Sequence, residues 1–236
     1  MSMQINGLNK SFGEISLYRD FSISFSEGTI SCILGPSGCG KTTLLNIIGK
    51  TQSFESGQLV GFDSKIISYI FQDPRLLPWK TVEENVDFVL SHDLPFGARK
   101  KTVNRFLRLV ELDRFANYYP SQLSGGMRQR VSIARAFAFP SDLILMDEPL
   151  KGLDIKLKLN LIKAFAHIWD EDKRTVVFVT HDVEEALLLG NEIFVLSQPP
   201  VTTKMQRVVD TPILERSLNS PESKAIKEIL INTLGE

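Results

Sequence analysis

Cysteine is nearly absent from this sequence: Cys32 and Cys39 are the two present, too few and too close together to frame a disulfide-stapled fold, and they fit a reducing cytosol. An excess of charge of either sign is also missing. Lys plus Arg number 27 and Asp plus Glu 28, a formal charge of -1, so bulk electrostatics give no reason to expect a nucleic-acid partner. Long hydrophobic runs are lacking too. Val176-Val177-Phe178-Val179 and Ala186-Leu187-Leu188-Leu189 are typical, far below the roughly 18 to 20 apolar residues that a membrane-spanning helix needs. Met1-Ser2-Met3-Gln4-Ile5-Asn6 has neither a basic flank nor an apolar stretch, so no secretory signal is expected, and no internal repeat or low-complexity segment is visible. What is present is a chain of 236 residues, 43% hydrophobic, with enough apolar material for a sizeable core in one to two domains.

Short apolar runs bounded by turn residues recur at Ile30–Leu34, Ile66–Phe71, Leu143–Met146, Val176–Val179 and Ile193–Leu196. They read as buried strands of a mainly parallel sheet, and the helical patterns between several of them make the class α/β. From about Trp79 to Pro140 such runs are missing, and Val103, Phe106, Leu107 and Val110 recur at helical spacing, which predicts a mainly helical insertion. Arg99, Lys100, Lys101, Arg105 and Arg108 cluster on that helix, but Glu111 and Asp113 follow, so a solvated face is expected, not a nucleic-acid site. Pro199-Pro200 closes the core, Ser220-Pro221 reads as an N-cap with a first-turn proline, and Ile226, Ile229, Leu230 and Leu234 give the last helix an apolar packing face. The expected division is a single domain over 1–236. Its α/β core covers 1–78 and 141–198, the helical part 79–140, and a C-terminal extension 199–236.

Directly after the first buried run comes Gly35-Pro36-Ser37-Gly38-Cys39-Gly40-Lys41-Thr42, a G-x-x-x-x-G-K-[ST] phosphate-binding loop, and Thr43-Leu44-Leu45-Asn46-Ile47-Ile48 continues it as a helix. Glycines let backbone N–H groups converge on phosphate oxygens, the helix N-terminus adds its dipole, Lys41 neutralises the outer phosphates, and the Thr42 hydroxyl suits a Mg²⁺ ligand. The expected ligand is a nucleoside triphosphate with Mg²⁺. Cys39 has two readings, a thiol activated at a helix N-terminus or a small loop residue without redox role, and the second is preferred. Cys32 reads as a core residue.

Leu143-Ile144-Leu145-Met146 ends in Asp147 and Glu148, adjacent carboxylates that point to different places at a strand terminus. Beside a phosphate loop, Asp147 suits Mg²⁺, directly or through water, and Glu148 suits polarisation of the water that attacks the γ-phosphate. Without the loop they would be ordinary turn acids. His181 ends the run Val176–Thr180, where it can meet the γ-phosphate or the attacking water, whereas His92 and His167 read as structural. Gln72 ends the Ile66–Phe71 run, within reach of Mg²⁺ or the water.

The segment Leu123-Ser124-Gly125-Gly126-Met127-Arg128-Gln129-Arg130 resembles the LSGGQ signature of ATP-binding cassette (ABC) ATPases, with Met127 in place of glutamine. Phe12, the phosphate loop, Gln72, Asp147-Glu148, Leu153-Asp154 and His181 follow the family's order over nearly the whole chain. The resemblance implies a P-loop NTPase core of RecA type, an antiparallel β-subdomain near the N-terminus and a helical signature subdomain. It also implies that Phe12 stacks on adenine. The resemblance further implies that two copies pack head to tail, so that Ser124, Gly125 and Gly126 act on the partner's ATP, and that Asp154 links the two sites. Lys151 stands where the family often has a small residue.

Asp73-Pro74-Arg75-Leu76-Leu77-Pro78-Trp79-Lys80-Thr81-Val82-Glu83-Glu84-Asn85-Val86 resembles a segment of importer ATPases for nitrate, taurine and alkanesulfonates. That implies a peripheral subunit on the cytoplasmic face of the membrane. The same resemblance implies a permease that docks near Gln72–Trp79 and a solute-binding protein that acts with it indirectly. The competing reading packs Trp79 and the leucines into the helical part's own core. An exporter-type cassette and a soluble non-transport ABC ATPase are the alternatives in function; no coiled-coil insertion, second cassette or basic appendage supports the latter.

Overall fold

The computed structural model describes residues 2–90 and 94–235; His92 lies outside the described residues. Two sheets organise the chain. Strands β1 (Ser2–Phe12), β2 (Ile15–Ser26) and β4 (Ser56–Val60) form an antiparallel sheet in the order β2-β1-β4. The second sheet runs β5-β6-β7-β3-β8-β9, from β3 (Ile30–Leu34), β5 (Ile67–Ile70), β6 (Leu143–Asp147), β7 (Thr175–Val179), β8 (Glu192–Leu196) and β9 (Thr203–Val208). All its pairings are parallel except β8 with β9.

The continuous apolar runs are explained by burial on both faces. Ile144 and Met146, Val176 and Phe178, and Ile193 and Val195 point into one hydrophobic cluster, while Leu143 and Leu145, Val177 and Val179, and Phe194 and Leu196 point into another. The second cluster is roofed by helix α1 (Lys41–Ile48) and the antiparallel sheet. The first is closed by α4 (Gly125–Ala138), α5 (Ile155–Asp172), α6 (Val183–Leu189) and α7 (Pro221–Gly235).

Between β5 and β6 lie α2 (Val82–Asp87), α3 (Phe96–Leu109) and α4, so this stretch is helical as its spacing implied. Val103, Phe106, Leu107 and Val110 are all buried. The basic residues of α3 face out: Arg99 pairs with Asp87 at 3.1 Å and Arg105 with Glu171 at 2.7 Å, while Lys100, Lys101 and Arg108 are exposed. On α7, Ser220 Oγ accepts from Ser223 N as a cap, and Ile226 and Leu230 are buried. Ile229, expected on the same packing face, is exposed.

Candidate active site

Because β3, β5, β6 and β7 are parallel, their carboxyl ends open on one edge of the sheet, with β3 central. That edge is where open α/β sheets bind ligands. It gathers Gly35 after β3, Gln72 after β5, Glu148 after β6 and His181 after β7.

The phosphate loop is held to its backbone course by close packing. A Cβ on Gly35 would lie 2.9 Å from Cys39 Sγ and 3.1 Å from the Leu196 carbonyl, so only glycine fits. Gly40 has φ +96, and a Cβ there would lie 2.9 Å from Tyr18 Oη, whose hydroxyl donates to the Gly40 carbonyl at 2.9 Å. Lys41 is only 7% exposed, and its ammonium donates to the carbonyls of Gly35 at 2.7 Å and Pro36 at 2.9 Å. A cleft of about 600 Å³ opens above the loop, lined by Ser37, Gly38, Gly40, Lys41, Thr42, Thr43, Gln72 and Glu148. Phe12 and Ile15 border its apolar end with exposed side chains. Gly35, Pro36 and Cys39 are not among the residues that line the cleft. The Cys39 thiol is buried, and burial pushes its pKa up against the opposing influence of Lys41. This agrees with a packing residue and not with an activated thiol.

Thr42 Oγ1 donates to Asp147 Oδ1 at 3.1 Å, joining the first turn of α1 to the end of β6. Asp147 is buried, and burial raises its pKa although the Thr42 hydrogen bond and the Lys41 charge oppose the shift. A hydroxyl and a carboxylate at the mouth of a phosphate loop are hard oxygen donors of the kind Mg²⁺ takes, with phosphates and waters filling its other positions. Among the described residues no cluster of three or more His, Cys, Asp or Glu side chains is placed to enclose a metal.

Glu148 has φ +47, a conformation costly for a side chain of this size, and its N–H is held by the Val179 carbonyl at 2.9 Å. The turn aims its carboxylate at Lys151 and His181. Lys151 Nζ stands 2.5 Å from Oε2 and His181 Nδ1 3.4 Å from Oε1. Burial raises the Glu148 pKa, but the adjoining Lys151 ammonium, with His181, outweighs it and leaves the carboxyl below its usual value. The lysine that breaks the family pattern thus lies on the carboxylate expected to activate water.

The signature residues are elsewhere. Ser124 caps α4, its Oγ accepting from Met127 N at 3.2 Å, and Ser124 and Gly125 are exposed. None of Ser124, Gly125 and Gly126 lines the cleft of the same chain. The helix is nevertheless tied to the catalytic loop: Gln129 Nε2 donates to the Pro149 carbonyl at 3.2 Å, and Gly126 packs against Leu153. Asp154 caps α5, accepting from Leu157 N at 2.9 Å, and is exposed.

The geometry agrees with the sequence comparisons. A profile of the family described as ABC transporter matches residues 18–151. The chain belongs to the ABC transporter family. It is an ATP-binding cassette and an ATPase of that family. It is 37% identical to the aliphatic sulfonates import ATP-binding protein SsuB of Bacillus cereus over 97% of this chain and 94% of the relative. It is 33% identical to SsuB 1 of Shouchella clausii over 100% of this chain and 92% of the relative. The sulfate/thiosulfate import ATP-binding protein CysA of Vibrio vulnificus is 40% identical over 84% of this chain and 61% of its own length. Among solved structures, a dimeric ATP-binding cassette in a post-hydrolysis state with ADP and Pi superposes with TM-score 0.77 at 31% identity, covering 91% of this cassette and 100% of that chain.

Sequence reasoning missed several supports of the site. Tyr18 braces the phosphate loop, and Lys158 joins the elements that carry Asp154 and His181. Asn85, fully buried, fixes the Leu76–Trp79 segment by bonding the Leu77 N–H and carbonyl and the carbonyls of Lys80 and Thr81. Arg135 on the signature helix donates to the carbonyls of Pro74 and Arg75. Asn85 lay within the motif quoted for the importer group; the others carry no local signal, because each acts on a distant segment. The two readings of Leu76–Trp79 divide. Leu76 packs on the core, whereas Trp79 is 70% exposed.

Proposed function

We propose that this cassette is the ATP-hydrolysing subunit of an importer for a small oxyanion-bearing solute, of the sulfonate, taurine or nitrate kind. It works as a head-to-tail pair of copies attached to a separate permease at the cytoplasmic face of the membrane. The observation that carries the reading is the meeting, at one sheet edge, of the phosphate loop, Asp147, Glu148 and His181. Relatives that share most of this chain are named as import subunits for aliphatic sulfonates, and the solved neighbours are dimers. An exporter-type or soluble non-transport role gains no comparable support. Among the described residues no helix is long and apolar enough to cross a membrane, so transport requires another chain.

The residues divide the work as follows. Phe12 stacks on the base, and the N–H groups of Ser37–Thr43 with Lys41 hold the phosphates. Thr42, Asp147 and Gln72 are the groups to hold Mg²⁺, which when bound neutralises charge on the β- and γ-phosphates. Glu148 orients and polarises the attacking water, and His181 holds the γ-phosphate. Ser124 and Gly125, exposed at the start of a 14-residue helix, and the half-buried Gly126 beside them meet the γ-phosphate of the partner's ATP. ADP lacks that phosphate, so ATP favours the closed pair and hydrolysis releases it. Closure reaches the permease through the segment Gln72–Trp79, where Trp79 is the exposed anchor and a solute-binding protein acts from the other side of the membrane. The direct test is uptake of a labelled alkanesulfonate by cells with and without this chain. Uptake lost on deletion and restored by the wild-type chain but not by Lys41→Ala supports the reading; undiminished uptake after deletion contradicts the solute class.

A further inference from the structure

Lys158 lies on α5, one helical turn beyond Asp154, and its N–H donates to the Asp154 carbonyl at 2.9 Å. Its ammonium leaves α5 altogether. It bridges Asp182, the N-cap of α6, and Glu185 at 2.5 Å. Glu185 is 3% exposed, and its other oxygen accepts from Thr180 Oγ1 at 2.6 Å. That hydroxyl in turn accepts from Asp182 N at 3.0 Å, and Asp182 Oδ1 accepts from the N–H groups of Glu184 and Glu185. His181 therefore sits between two residues whose side chains are fixed by one network, while its own ring is largely exposed.

We propose that Lys158 is a positioning residue for ATP hydrolysis: it straps the start of α5 to the Thr180–Glu185 turn and so sets where His181 stands against Glu148. An exposed ion pair serves little, but here one partner is buried and the bridge is shared by two carboxylates and a hydroxyl. The strap also joins two loops with different tasks. Asp154 faces out where a second copy would dock, and any shift it takes is carried through the α5 backbone to Lys158 and so to His181. The inference rests on the assignment of Glu148 and His181 to hydrolysis.

The test compares the purified full chain with Lys158→Met, Lys158→Arg and the double variant Lys158→Met/Glu185→Gln, by kcat, ATP affinity and Tm. The double variant guards against misfolding, since it removes the buried carboxylate that Lys158→Met leaves unpaired. It is expected to melt within about 3 °C of wild type. Its ATP affinity should stay within about twofold and its kcat fall about 10- to 100-fold, the cost of a misplaced catalytic group. Lys158→Arg, which keeps the charge, should recover most of the rate. Wild-type kcat in the double variant would overturn the proposal, as would a loss of ATP affinity that accounts for the whole drop. His181→Ala run in parallel separates the layers: full activity there removes the site reading and the strap's purpose together, whereas a slow His181→Ala beside a fast double variant removes the strap alone.

Discussion

Lys151 Nζ lies 2.5 Å from Glu148 Oε2. The carboxylate proposed to polarise the attacking water is in contact with an ammonium supplied three residues later by the same turn. Lys151 is half exposed, so solvent screens the pair and limits its energetic weight. With the ammonium removed, Oε2 is free to accept from water, and Lys151→Ala is expected to raise kcat roughly two- to fivefold without changing ATP affinity. A steady-state assay decides it, and an unchanged or lower kcat contradicts the role given to this contact.

Lys41 is the buried cation at the loop, already oriented by the Gly35 and Pro36 carbonyls. Its replacement by alanine removes charge-assisted hydrogen bonds to phosphate, which lowers ATP affinity by about 10- to 100-fold. Calorimetric titration with ATP measures this directly. Wild-type affinity in the variant would remove the assignment of the phosphate loop.

Trp79 is exposed, while the segment beneath it is pinned by Asn85. Trp79→Ala should therefore leave the melting temperature within about 1 °C, as surface substitutions do. It should weaken co-purification with the permease about tenfold or more, as expected of an aromatic anchor. Undiminished co-purification would place the docking surface elsewhere.

The Lys158 network predicts a pH dependence of stability. Burial raises the Asp182 pKa, but the Lys158 hydrogen bond and charge with the α6 N–H groups outweigh it, so the carboxyl is depressed; Lys158 is raised, since its two carboxylates outweigh burial. Around this pair stand Glu185, Thr180 and, from β3, the Cys32 thiol, whose pKa burial raises with the help of Glu185 and Asp182; Glu184 contributes its N–H to Asp182 while its side chain pairs with Lys227 of α7. A depressed carboxyl stabilises the fold above its unfolded pKa and loses that contribution as pH falls through the folded value. Asp182→Asn keeps a capping side chain and loses the charge, so wild type should melt about 2–4 °C higher than the variant at neutral pH. The gap should hold toward pH 5 and close below the ordinary aspartate value of 3.8. A gap that persists at the acid end contradicts the ion-pair account.

β6 and β7 were readable because they are apolar on both faces and run directly into polar functional groups, as in Met146-Asp147-Glu148 and Val179-Thr180-His181. The residue patterns around β1, β2, β4 and β9 carried no such signal. β9 is a nearly exposed edge, Thr203–Val208, and β1 is broken by register shifts around Gly7. The N-terminal antiparallel sheet was reached through family resemblance, not through periodicity. The site's named residues came from motifs with a fixed local spacing. Lys158 and Asp182 are 24 residues apart, and Tyr18 and Gly40 are 22 apart, so nothing local announces either contact.

In the proposed cycle two copies close on ATP, with Glu148 of each acting on a nucleotide that the partner's Ser124, Gly125 and Gly126 hold. Glu148→Gln keeps the shape of the side chain and removes its basicity, so ATP should bind but persist. Sedimentation velocity of that variant with ATP and with ADP is the most direct measurement. The account predicts a stable dimer with ATP and a monomer with ADP; a monomer under both conditions, at concentrations where ATP is bound, would contradict it.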